Sequence, residues 1–210
     1  MTFAADLGGL PDETLSNADL QEINGVSIVG VQGTGGNSNV ERYGAWMEHS
    51  SFYLCTGVPV ASDTLTLQDN QTFTIADSFG IEPPQDPSPD ADGTFLGAMV
   101  GTPPPGVEGH GEVLVGAARL EYNWADDILD AAFSNIINLD RNGAGHSVGM
   151  IEFSNQDINF DRGLIIGDAA LSDGRNSIDG RFYGGGDEIS GTFEHPAIIG
   201  AFGAKLQPGE

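Results

Sequence analysis

Three segments near the C-terminus repeat one alternation, Ile178-x-Gly180-x-Phe182, Ile189-x-Gly191-x-Phe193 and Ile198-x-Gly200-x-Phe202. Phe95-x-Gly97-x-Met99 opens the same half of the chain in the same way. A period of two puts each set on one face of a β-strand, large–small–large, with Asp179, Arg181, Ser190, Thr192 and Lys205 on the opposite face, toward water. Strand-like runs occupy residues 94–100, 116–124, 128–136, 148–154, 163–171, 177–183, 188–193 and 198–205. Most are joined by hairpin-length turns, of which Trp124-Ala-Asp-Asp and Gly184-Gly-Gly-Asp are the clearest, so neighbours are antiparallel. No helical period interrupts the series. Eight sequential antiparallel strands lose their edges by closing into an up-and-down barrel, and an interior lined by alternating small and bulky residues is filled. Such a barrel has no cup for a small ligand, which leaves rim loops or the N-terminal half for binding.

That half has a different texture. Residues 1–24 are polar and acidic, and are expected to be weakly ordered with at most a helical turn after Pro11. Residues 25–81 are β-rich, with strands expected at 26–31, 42–54, 64–67 and 72–79 and a turn at Gly33-Thr-Gly-Gly-Asn-Ser-Asn. The Pro-rich acidic run at 82–92 can be neither helix nor central strand and marks a linker before the barrel at 93–210. The fold class is therefore all-β, an N-terminal handle followed by an eight-stranded antiparallel barrel.

Composition excludes several functions. The 210-residue chain carries 31 acidic and 7 basic side chains, a net charge of −24, which repels nucleic acid and anionic membranes. One cysteine, Cys55, cannot form an internal disulfide and reads as a small buried hydrophobe. No apolar run approaches the length of a transmembrane helix. Asp90, Asp92 and Gly93 match the middle of a calcium loop, but the required first and twelfth positions are Ser88 and Met99. Asp157, Asp161 and Asp168 assemble no full ligand set, and no metal site is assigned. The start, Met1-Thr-Phe-Ala-Ala-Asp, has no signal-peptide pattern and no lipobox cysteine, so any leader or anchor is expected to lie outside this chain.

The run Phe182-Tyr-Gly-Gly-Gly-Asp-Glu-Ile-Ser-Gly-Thr-Phe193, followed by Ile199-Gly-Ala-Phe-Gly-Ala-Lys205, resembles the closing signature of the transferrin-binding protein B-like barrels of bacterial surface lipoproteins and secreted binding proteins. The resemblance covers residues 93–205, and Tyr43-Gly-Ala-Trp-Met-Glu-His-Ser extends it to 25–79. One departure is the turn at Gly184–Asp187, where the family's usual Gly-Pro-Asn is absent. The resemblance implies a short, single-lobe, non-enzymatic solute-binding protein, secreted or on the outer-membrane surface, which binds an iron or haem carrier or another protein, with haem itself as an alternative ligand.

Candidate binding residues follow from aromatic content near a histidine. In Tyr43-Gly-Ala-Trp46-Met-Glu-His49-Ser-Ser-Phe-Tyr53, a continuous strand would align Tyr43, Met47, His49 and Tyr53. Aromatic rings beside a His or Tyr ligand would suit a haem carrier, with His110 or His146 as a second axial ligand. The plain alternative is a half-buried structural strand. His195, before Pro196, reads as turn chemistry. Glu48-His49-Ser50 cannot form a relay along a strand, because neighbours point to opposite faces. Asp126/Asp127 and Asp187/Glu188 fall in turns, where acids stay solvated. No catalytic residue is assigned. A further reading, a monomeric surface protein that recognises a partner protein, requires an exposed aromatic patch.

Overall fold

The computed structural model describes residues 13–15, 21–33, 39–58, 73–80, 91–159, 164–166 and 176–208. The expected strand at 64–67, most of the turn at 33–39, most of the linker, and Asp161 and Asp168 lie outside them. The described elements are all strands, in two antiparallel sheets. Among the described residues no helix is long and apolar enough to cross a membrane.

The C-terminal sheet is the barrel. Strands β7 (Gly93–Thr102), β8 (Leu114–Asn123), β9 (Ile128–Asn138), β11 (Met150–Asn159), β12 (Leu164–Ile166), β13 (Ser177–Tyr183), β14 (Glu188–Glu194) and β15 (Ile199–Leu206) pair in sequence, and β15 returns to β7. The pairings run round a ring, in which the three described residues of β12 bridge β11 and β13. A two-residue strand, β10 (Ala144–Gly145), extends β9 beyond the ring. The interior is filled as the alternation requires: Phe95, Phe133, Phe153, Phe182, Phe193 and Phe202 are buried with Met99, Ile178 and Ile189 in one cluster. The glycines between them make the filling possible. A Cβ at Gly97 would stand 2.0 Å from the Gly203 carbonyl oxygen.

The handle contains β1 (Glu13–Leu15), β2 (Gln21–Ile23), β3 (Val26–Gly33), β4 (Asn39–Trp46), β5 (Ser50–Val58) and β6 (Phe73–Gly80). Their order is β1-β3-β4-β5-β6, with β2 also on β3. Residues 13–15 and 21–23 are therefore extended, where composition suggests a helical turn or a tail. Asn24-Gly25 turns β2 into β3 with both residues at positive φ, the backbone that an Asn-Gly hairpin requires. The Asn24 side chain donates to the Gly97 carbonyl at 3.0 Å, tying this hairpin to the barrel.

The handle's inner face, with Val26, Ile28, Tyr43, Ala45, Phe52 and Leu54, packs on the barrel's outer face at Ala98, Val100, Val115 and Ala201. This gives the closing Gly-Ala-Phe-Gly-Ala-Lys segment a physical reading. Phe202 and Ala204 point inward and join the core. Ala201 and Gly203 point outward and are small because the handle lies on them: a Cβ at Gly203 would meet Phe52 Cδ1 at 2.5 Å and Met47 Cε at 2.7 Å. The same packing corrects one expectation. Ser190, assigned to water by alternation, is fully buried, whereas Asp179 on the same face of the neighbouring strand is exposed.

Candidate functional site

Residues 42–54 do not form one strand. The chain turns at Met47-Glu48-His49, closed by a bond from the Met47 amide to the Ser50 carbonyl at 2.8 Å. The turn contains no Gly, Pro, Asn or Asp; its polar partner comes from the barrel. Glu188, only 2% exposed, accepts the Glu48 amide on Oε1 at 2.7 Å, and the His49 amide and Ser50 hydroxyl on Oε2 at 3.0 and 2.9 Å. Glu188 is therefore a buried clamp between the two sheets and not a solvated turn acid. A carboxylate facing adjacent backbone amides and a hydroxyl makes strong, charge-assisted bonds. The His49 ring lies over the β13–β14 turn, where a Cβ at Gly184 would fall 2.1 Å from its Cδ2. Gly184 also has φ +63°, so no other residue suits this position.

The turn redistributes the aromatic candidates. Tyr43 faces the barrel and is buried in the inter-sheet core. Tyr53 pairs across from Gly44 and faces away from the barrel, on the same side as Trp46. The shared parity of Tyr43 and Tyr53 expected for an unbroken strand is thus lost. His49 stands at the end of the barrel that carries the β13–β14 turn. His110 lies in the β7–β8 loop at the other end, its Nδ1 2.7 Å from the Pro103 carbonyl oxygen. Between the two ends run ten residues of β7, about 30 Å at ~3.3 Å per residue. His49 and His110 therefore cannot ligate one iron. His146 and His195 belong to loops at the His110 end.

The structure brings Trp46 and Tyr53 together with residues that the sequence did not single out. On the handle's outer face, register places Trp46, Ser51 and Phe79 on one rung, Gly44, Tyr53 and Asp77 on the next, and Arg42, Cys55 and Ile75 on the third. Trp46, Phe79 and Ile75 are 42%, 40% and 52% exposed. The Trp46 and Phe79 strand positions are about 10 Å apart, two inter-strand spacings, and flank the small, buried Ser51, whose hydroxyl donates to the Phe79 carbonyl at 3.2 Å. Tyr53 and Phe79 meet edge to face at 6.1 Å. The Tyr53 hydroxyl donates to Asp77 at 3.4 Å. Burial, and then the Asp77 charge, push this phenol above 10.0, so it remains a donor. Cys55, on the third rung, is buried and forms no disulfide.

Strand β6 is inverted relative to an ordinary half-buried strand. Its small or polar residues Thr74, Ala76 and Ser78 are half-buried, while Ile75 and Phe79 face out. Trp124 is a single exposed apolar residue in a barrel turn, whereas Trp46, Tyr53, Ile75 and Phe79 share one sheet face. Among the described residues, no cluster of three or more His, Cys, Asp or Glu side chains is arranged to hold a metal ion.

The loop carrying His110 is held by Glu112, which accepts Asn138 Nδ2 at 2.6 Å and Arg141 Nη2 at 2.8 Å. The Arg141 bond chiefly holds the Glu112 carboxyl below its ordinary 4.5. A lowered folded value gives stability that is present above 4.5 and disappears as pH falls through the folded value. Glu112→Gln should therefore flatten the acid limb of a stability–pH curve below that point, as measured by urea unfolding at a series of pH values. An unchanged slope would show that the pair adds nothing.

Compared with protein-family models and with curated proteins, the chain matches none.

Proposed function

We propose that this chain is a non-enzymatic, extracellular or cell-surface binding protein that recognises a partner protein through the outer face of its handle. The observation that carries this reading is the apolar face formed by Trp46, Tyr53, Ile75 and Phe79, turned to solvent on a sheet whose other face packs on the barrel. Tyr and Trp are enriched at protein interfaces because they bury a large area at little entropic cost. The barrel supports the reading from the other side: its interior is occupied by phenylalanines, so it acts as a scaffold and not as a container. The resemblance of residues 93–205 to transferrin-binding protein B-like barrels supports the same class, since those proteins bind macromolecules or haem at bacterial surfaces without catalysis. Service in iron or haem acquisition is part of that resemblance.

Selection of a random peptide library on the immobilised protein tests the reading. The peptides recovered are expected to bind the Trp46→Ser/Phe79→Ser variant at least about tenfold more weakly than the wild type. Equal binding to both would remove the handle face as the site. A saturable one-to-one Soret band on hemin titration, weakened in His49→Ala, would favour the haem carrier instead.

A further inference from the structure

We infer that the partner surface taken by this face is cationic, with an arginine seated among the exposed rings beside Asp77. The inference rests on the handle reading above and adds the chemistry of the occupant. Asp77 is exposed, one rung from the Trp46–Phe79 pair, and is bonded to the Tyr53 hydroxyl. Aromatic faces next to a fixed carboxylate match the two faculties of a guanidinium, which stacks on rings and pairs in plane with a carboxylate. Lysine meets only the charge requirement.

The sequence favours the same sign, since no Lys or Arg occurs between Arg42 and Arg119. Arg42 is the only cation among the described residues of this face and is itself engaged. A net charge of −24 attracts a basic partner and steers its approach, and it repels both acidic proteins and a second copy of this chain.

The test uses short fluorescein-labelled peptides of equal apolar content, rich in Arg, in Lys or in Glu, titrated by anisotropy at low and high salt. The expected order on the wild type is Arg, then Lys, with Glu weakest, and the Arg peptide should weaken as salt screens the charges. Asp77→Asn should weaken the Arg peptide by about fivefold. The Trp46→Ser/Phe79→Ser variant should weaken it by at least about tenfold. All three substitutions are at the surface, and unchanged melting temperatures would confirm that the variants fold. If Arg and Glu peptides bind the wild type equally and both are lost in the double variant, the cationic preference is overturned while the face stands as a binding site. If the double variant binds as the wild type does, the face itself fails. A dimer in sedimentation that the double variant disperses would make a second copy the occupant and overturn the inference.

Discussion

Replacing Glu188 with alanine is expected to destabilise the protein by about 3 kcal/mol, because it strips three donors in the handle turn of a buried, charged acceptor. For a chain of this size that corresponds to a fall in melting temperature of about 6–12 °C. The loss should be uneven. The barrel keeps its ring of pairings, whereas the 47–49 turn loses the group that holds it, so the handle should loosen first. Trp46 reports on the handle and Trp124 on a barrel turn, so unfolding followed by fluorescence in single-tryptophan variants can separate the two. Glu188→Gln retains the shape and one acceptor oxygen, and should fall between alanine and wild type. A cost of less than about 1 kcal/mol for Glu188→Ala would mean that water replaces the carboxylate at the turn.

A larger effect is expected at the barrel centre. Phe133 lies with its ring centroid 4.4 Å from Phe193, 5.4 Å from Phe202 and 6.0 Å from Phe153. Phe133→Ala removes the ring that these three share, and the closed sheet has little freedom to collapse onto the gap. The expected cost is about 4 kcal/mol by equilibrium urea unfolding. A loss below about 1.5 kcal/mol would contradict a filled, close-packed interior, and with it the argument that binding must take place outside the barrel. Peptide binding by the folded fraction should be unaffected, since the handle face is separated from Phe133 by the barrel wall.

The barrel was legible in the sequence because its information is local. Alternation at period two names the inward residues of β13, β14 and β15 without knowledge of their neighbours, and the Gly-rich turn at 184–187 announces its hairpin. The handle was less legible where its information is distant. Nothing in Met47-Glu48-His49 signals a turn, since the acceptor that stabilises it is Glu188, some 140 positions later. An unbroken strand would put Tyr43 and Tyr53 on one face, and the break puts them on opposite faces. Ser190 is illegible for a related reason: alternation separates two faces of a strand but does not say that a second sheet covers the outer one. In β6 the pattern was present, as Ile75-x-Asp77-x-Phe79. Hydrophobicity alone would turn that side inward, and only the position of the barrel beneath Thr74, Ala76 and Ser78 reveals that it faces solvent. Trp46 and Tyr53 could thus be named from sequence, while Asp77 and Phe79, which complete the face, needed the strand pairing.

The most direct measurement is amide hydrogen exchange of the wild-type protein with and without the tightest peptide selected on it. Protection is expected to increase in β5 and β6, at residues 50–58 and 73–80, and to leave the barrel loops at 103–113 and 139–149 unchanged. Protection confined to those loops, with β5 and β6 unaffected, would contradict the assignment of the handle face as the binding surface.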